Sequence, residues 1–426
     1  MKTLQRVASA RLDEEVLLAR AGGMRVGVVR KPGYSTAAAN LGLRFGSTAT
    51  RFRGVDGREH AVPEGSAHFL EHKLFEGREE KVFDRFGRLG ARFNGGTGFY
   101  TTNYYFSTAG RFDQCLEVLL DFVQHPLITE ERVEKEKGII EQEVRMYQDE
   151  PDYHGYFLLH RALYHRLPIR IEPAGDVASV RATRAADLQA CYDNFYRPEN
   201  LVLVVAGDFD PEQVLARVES LLDSPQPGSG RILRPEEPPL PAARRLEESF
   251  AVTRHNLWLA WRERGGVGLG RPLMRRRILS SLVLDLALDH SSEYHDDLYR
   301  RGVVDDTFNV GYSADEDYGY ALINGQTEDP ERFLAEIQAA VARFLDAGVR
   351  PEDFERVRRA YYGWIVTRLQ TPSALASSVL NALLEDMEPF SMLAEVEEAT
   401  VEAVEQRARE LLDPARAAVA LLRPKA

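Results

Sequence analysis

His68-Phe69-Leu70-Glu71-His72 sets two imidazoles four residues apart with a carboxylate between them. On a helix, positions four apart share a face, so His68 and His72 can turn toward one ion. Glu71 lies three residues after His68, on the same side but offset. A carboxylate there can take a proton from water without occupying a metal position. Two imidazoles do not complete a metal site, and a third ligand must come from elsewhere. The chain has 10 His, and a helical histidine is ordinarily a packed or solvated one. Taken alone, the motif leaves zinc open.

The elements that must position these residues are readable from the flanks. Pro63 to Gly77 predicts a helix, with Ser66 as N-cap, Leu70 and Leu74 on one apolar face and Gly77 as the stop. Before it, VLLAR, MRVGVVRK and ANLGLRF, between Val16 and Phe45, read as strands turned at Gly22-Gly23 and Pro32-Gly33. A second helix is expected over Val82 to Leu89. The segment Gly90 to Ser107 is rich in aromatics and threonines and reads as a strand. Its glycines at 95, 96 and 98 fit a sheet edge or a close backbone approach. A Gly-rich loop leading into a plain strand fits them equally.

After a helix over Phe112 to Val123, Thr129 caps a longer one that runs toward Pro151. Val133 and Ile140 mark its apolar stripe, and Glu136 and Glu143, also seven apart, flank that stripe. Glu130, Glu131, Glu134 and Glu141 read as solvated. Beyond lie a buried strand, VLVVAG, and a helix from Pro211 to Leu222. The second half offers a strand NLWLAW, a long helix within Pro272 to Arg300, a strand pair at FNVGYS and YGYALING, and three helices after Pro330.

With 426 residues, 44% hydrophobic and 28% charged, the chain has the composition of a globular protein of two domains or more. The net charge of -12 argues against nucleic acid and anionic membrane surfaces. Cys115 and Cys191 are the only cysteines, which excludes a disulfide framework and a Cys-rich zinc site. The N-terminal MKTLQRVASARLDEEV lacks an apolar core, and no run of about 18 apolar residues occurs. A cytoplasmic location is therefore expected. The Pro/Gly-rich stretch 224–243 reads as a linker between domains 1–223 and 244–426. Leu127 to Pro151 aligns with Gly348 to Pro372, Val133 meeting Phe354, Ile140 meeting Tyr361 and Val144 meeting Ile365. Glu136 and Glu143 meet Val357 and Trp364, so the helical scaffold is duplicated and the acids are not.

Together these features resemble the pitrilysin-type zinc metallopeptidases, the inverzincin family M16, and in length its short bacterial members related to mitochondrial processing peptidase. The resemblance rests on Gly65-x-Ala67-His68-x-x-Glu71-His72, on Asn94-x-x-Thr97, on Glu136 with Glu143, and on Tyr196-x-x-x-Asn200 leading to Gly207-Asp208-Phe209. It implies an α+β fold of two repeated layers, each a mostly antiparallel sheet with helices packed on one face. It implies one Zn2+ per chain on His68, His72 and Glu143, Glu71 as general base, and Glu136 orienting a ligand. It also implies that the strand carrying Asn94, Thr97, Phe99 and Tyr100 pairs with the backbone of a peptide substrate.

The activity implied is that of a zinc endopeptidase acting on unfolded peptides in a chamber built with a second subunit. A non-catalytic structural or peptide-binding subunit is the alternative. One departure bears on the partner. Where the family often carries an Arg and a Tyr seven apart, this chain has Tyr299 and Asp306. A second M16-type subunit supplying that pair, hence a heterodimer, is expected. Arg300 or Arg301 serving instead leaves a homodimer open.

Overall fold

The computed structural model describes residues 5–224 and 227–425. Residues 1–4 of the N-terminal segment and 225–226 of the expected linker lie outside the described residues. The chain forms two units. One comprises Met1–Arg145, Ile171–Pro235 and Val366–Phe390, the other Met146–Arg170, Glu236–Ile365 and Ser391–Ala426.

The first unit is built on a seven-stranded sheet. Its spatial order is Gln5–Ser9, Glu14–Ala21, Met24–Arg30, Leu201–Gly207, Ala37–Leu43, Thr102–Thr108 and Arg92–Thr97. All neighbours are antiparallel except Met24–Arg30 with Leu201–Gly207. Leu201–Gly207 is buried at every residue, as a central strand covered on both faces must be. One face packs against helices of its own half, including Ser66–Glu76, Phe112–Gln124 and Glu130–Gln148. The other face, with Val16, Val29, Val202, Val204 and Ala206, is closed by Leu375, Ala376, Val379, Leu380 and Leu383. These belong to the helix Pro372–Leu384, 221 residues after the counterpart Pro151–Leu163. Asn40 Nδ2 donates to Ser377 Oγ at 2.7 Å. Gly42 leaves the room this requires, since a Cβ there would lie 3.0 Å from Leu384 Cδ1.

The second unit carries five strands in the order Arg245–Phe250, Ala417–Pro424, His255–Arg262, Gly319–Thr327 and Asn309–Ala314, only the first pair parallel. Here the helix Pro151–Leu163, from the N-terminal half, covers the sheet. Gly155 admits the Trp258 ring so closely that a Cβ would meet it at 2.1 Å. The α+β class and the mostly antiparallel sheets are as expected, but each sheet is covered on a second face by a helix from the other half of the sequence.

The division therefore departs from the contiguous 1–223 and 244–426. Among its described residues the expected linker is also tied down: Arg231–Ile232 pairs with Arg51–Arg53, and Glu237 accepts from the backbone N–H groups of His165, Arg166 and Leu167. Proline and glycine content marked irregular backbone there, not freedom.

Other local expectations need correction. The single strand expected over 90–107 is a hairpin, Arg92–Thr97 and Thr102–Thr108, with Arg92–Thr97 at the sheet edge. The long helix expected within 272–300 is two, Arg271–Ala287 and Glu293–Arg300, the second restarted by the Ser292 N-cap. After Pro330 come five helices and the strand Ala417–Pro424, not three helices. No helix among the described residues is long and apolar enough to cross a membrane.

Candidate metal centre

The helix Ser66–Glu76 is capped by Gly65 at φ 82, not by Ser66, whose hydroxyl instead donates to Pro63 O at 2.6 Å. A side chain at 65 would also collide with Ala174 O at 2.2 Å, so glycine is needed on two counts. Gly77 ends the helix as expected. Phe69, Leu70 and Leu74 are buried in the core of the first unit and fix the helix's rotation. That rotation turns His68 and His72 to a common side, ring centroids 4.7 Å apart.

Facing them is the helix Glu130–Gln148, started by Thr129, whose hydroxyl accepts from Arg132 N at 3.3 Å. Its buried residues are Val133, Ile140 and Val144, and Glu136 and Glu143 border that stripe two turns apart. Glu143 reaches both imidazoles: Oε1 lies 3.5 Å from His68 Nε2, and Oε2 lies 3.4 Å from His72 Nε2. His68, His72 and Glu143 each offer an atom within 4.8 Å of the others, the only such group among the described residues. Two of the acids read as solvated tie the helix down instead. Glu130 accepts from Ala185 N at 3.0 Å, and Glu141 takes both a Nε and a Nη contact from Arg181 at 2.9 Å.

Glu136 Oε1 stands 3.1 Å from His72 Nδ1. A carboxylate on the far nitrogen of an imidazole sets its tautomer and leaves Nε2 free to ligate. His68 Nδ1 is buried with no hydrogen-bond partner among the described residues. Burial disfavours a charged His72, but the carboxylates of Glu136 and Glu143 outweigh it and push its pKa up to about 9. The two imidazoles hold the Glu143 carboxyl far below the usual range. His72, against the cost of burial, and then Lys73 hold Glu136 down as well. The cluster gathers an excess of negative charge and two nitrogen donors on one point, and any cation bound there competes with protons. Two imidazoles and one carboxylate suit zinc, and the residues present fit that ion.

Glu71 does not join the three. Its Oε2 accepts from Thr97 Oγ1 at 2.7 Å, and the residue is 8% exposed. Thr97 sits on the edge strand and lies 3.5 Å from Thr102 Oγ1, which donates to Phe45 O at 2.8 Å. Of the residues expected to meet a peptide, Asn94 is exposed on that edge and its Oδ1 accepts from Gly95 N at 2.9 Å. Phe99 is half-buried, and its carbonyl accepts from Thr48 N and Oγ1. Tyr100 is buried, with the guanidinium groups of Arg44 and Arg234 5.5 and 4.7 Å from its ring centre. Arg300 and Arg301 belong to the second unit, where Arg300 pairs with Asp296 and Arg301 with Asp297 and Glu336. Tyr299 and Asp306 are hydrogen-bonded to each other at 3.1 Å.

One residue of the centre escaped the sequence reading. Lys73, next to His72, is fully buried and bonded to Glu76 and to Arg132 O. The Lys73–Glu76 spacing of three on a helix was the available signal.

Residues 58–174 match the family described as Insulinase (Peptidase family M16), and residues 183–361 match Peptidase M16 inactive domain. A Bacillus subtilis (strain 168) protein described as an uncharacterized zinc protease, YmfH, is 33% identical over 407 residues, 95% of this chain and 95% of the relative. A crystal structure of an M16-like protein from Alicyclobacillus acidocaldarius has 35% identity and a TM-score of 0.93, covering 98% of this chain and 100% of its own. Pitrilysin, at 16% identity, superposes with a TM-score of 0.77 over 99% of this chain and 46% of its own, a likeness of fold.

Proposed function

We propose, since this chain belongs to peptidase family M16, the insulinase family, that it is a zinc-dependent endopeptidase acting on unfolded peptides. The observation that carries the reading is the convergence of His68, His72 and Glu143 on one point, with Glu71 held beside them but outside the cluster.

His68 and His72 would hold zinc through Nε2 and Glu143 through its carboxylate. Bound there, zinc supplies Lewis acidity to water and to the peptide carbonyl. The chain's own groups do the rest. Thr97 fixes one Glu71 oxygen by hydrogen bond and leaves the other to take a proton from the attacking water and deliver it to the leaving amine. Arg92–Thr97 is the outermost strand of its sheet, so its free edge offers backbone donors and acceptors to an extended peptide. Recognition through backbone groups favours a broad range of sequences.

The reading is tested with Glu71→Gln and a quenched peptide. Zinc content should stay near one per chain, while cleavage falls by about a thousandfold or more, the scale of removing a general base with its supporting contacts. Wild-type cleavage by this variant would overturn the catalytic role. A zinc-loaded wild type that binds peptides and never cleaves them would establish the non-catalytic alternative.

A second family-M16 subunit that completes the chamber is part of this proposal. It is supported by Tyr299 and Asp306, which stand where relatives often have Arg and Tyr and which satisfy each other. Co-purification from the native source, with cleavage rising on addition of the second chain, is the expected result. Full activity of a pure homodimer would remove the heterodimer.

A further inference from the structure

Lys73 carries its charge where water does not reach it: its side chain has 0% exposure. A buried ammonium persists only if its donors find acceptors. Lys73 Nζ has three. It bonds the Glu76 carboxylate on its own helix, it donates to Arg132 O at 2.9 Å on the helix Glu130–Gln148, and it lies 3.6 Å from Glu136 Oε2 on that same helix. Glu136 is thereby used at both oxygens, Oε2 toward Lys73 and Oε1 on His72 Nδ1 at 3.1 Å. His72 Nε2 in turn faces Glu143. An unbroken line runs from the ammonium through one carboxylate and one imidazole to the metal position.

We propose that Lys73 is a positioning residue for the metal centre: by engaging Glu136 Oε2 it fixes that carboxylate, so that Oε1 holds His72 in the tautomer and ring orientation that present Nε2 to zinc. A glutamate side chain has three rotatable bonds, and one contact on the imidazole does not select a single rotamer. The second contact does. Lys73 also donates to Arg132 O, one turn ahead of Glu136, which holds its ammonium at the level of that carboxylate. The neighbouring guanidinium of Arg132 turns away, donating to Gly77 O and Arg78 O, so Lys73, and not Arg132, faces Glu136 Oε2. This inference rests on His68, His72 and Glu143 being zinc ligands.

The test is zinc affinity, measured by competition with a chromophoric chelator on the full chain. Wild type, Lys73→Met, Glu136→Gln and the double variant are compared. Loss of a group that orients a metal ligand typically costs about 10- to 100-fold in affinity, and each single variant should lose about tenfold or more. Lys73 acting through Glu136 makes the pair non-additive, so the double variant should bind no more weakly than Glu136→Gln alone. A Lys73→Met affinity within about twofold of wild type would overturn the proposal, as would two losses that multiply in the double variant. Should Lys73→Met fail to fold, Lys73→Met/Glu76→Gln removes both charges of the ion pair, with Glu76→Gln as its control. Tenfold weaker binding by the former alone is then expected, and equal binding by the two overturns the role. Absence of zinc from wild type would strike the ligand assignment itself, a different failure, visible before any variant is made.

Discussion

Thr97 Oγ1 donates to Glu71 Oε2 at 2.7 Å, tying the edge strand of the sheet to the helix that carries both histidines. One contact thus sets the direction of the carboxylate and the height of the strand that a peptide would pair with. Thr97→Val keeps the shape and deletes the donor. A hydrogen bond to a charged group contributes about 1.5–3 kcal/mol, so kcat should fall by about 10- to 100-fold. Zinc content should not change, because Thr97 bonds Glu71 and not the proposed ligands His68, His72 and Glu143. Steady-state kinetics together with metal analysis check this, and a variant that loses zinc would show that the strand supports the cluster itself.

Removing the proposed third ligand should separate binding from chemistry. Glu143→Gln takes away the one carboxylate that reaches both imidazoles and should abolish stoichiometric zinc binding, whereas Glu71→Gln should retain it. A ligand that binds only the folded state adds about 2.7 kcal/mol of stability at a hundredfold excess over Kd. Thermal unfolding of wild type should therefore shift upward with added zinc and downward with a chelator, and that of Glu143→Gln should respond to neither.

Much of this centre was legible because its signals are local. Helical spacing alone puts His68 beside His72 and Glu136 in line with Glu143. The repeat was legible for the same reason: Glu130–Gln148 and Pro351–Arg368 are matching helices, at the offset given by their apolar stripes. Pro151 and Pro372 close the two aligned segments. In the structure each opens the next helix at its first position, where a missing N–H costs nothing. Which sheet those two helices cover was not legible. An apolar helical face fits any sheet of matching shape, and the choice is made by close contacts such as Gly155 with Trp258, distant in sequence. Lys73 was missed on similar grounds, since a lysine on a helix is ordinarily exposed and only the facing helix buries it.

The exchange of these helices is open to a direct test at their two contact glycines. Gly155→Ala would place a Cβ 2.1 Å from the Trp258 ring, and Gly42→Ala one 3.0 Å from Leu384. Overpacking a close-packed interior typically costs about 1–3 kcal/mol. The rigid indole has less room to yield than the end of a leucine, so Gly155→Ala should be the more damaging. All three tryptophans, Trp258, Trp261 and Trp364, belong to the second unit. Their fluorescence should therefore report the loss in Gly155→Ala, while hydrogen exchange in Leu201–Gly207 should report it in Gly42→Ala. Equal stability of wild type and Gly155→Ala would contradict the packing of Pro151–Leu163 on the second sheet.

His160, on that same helix, supplies a pH dependence whose sign can be worked out. It is fully buried, with Nδ1 2.8 Å from Ile169 O and Nε2 2.8 Å from the Tyr320 hydroxyl, which is itself 2.7 Å from the Tyr156 hydroxyl. The arrangement suits a neutral ring, Nδ1–H donating to the carbonyl and Nε2 accepting from Tyr320. Burial lowers the pKa from 6.5 to about 4, the bond to Ile169 O opposing it only in part. Above pH 6.5 the ring is neutral whether folded or unfolded, and the contribution is complete. As pH falls from 6.5 to 4 the unfolded chain takes up a proton that the folded one refuses, and stability drops by about 3 kcal/mol in all. Urea unfolding followed by tryptophan fluorescence should show this loss in wild type. In His160→Gln, which is less stable at pH 7, the curve against pH should be flatter by that amount. Parallel curves would mean that the proton reaches His160 in the folded state and that the Tyr320 hydroxyl turns to accept from Nε2–H, while Nδ1–H still donates to Ile169 O.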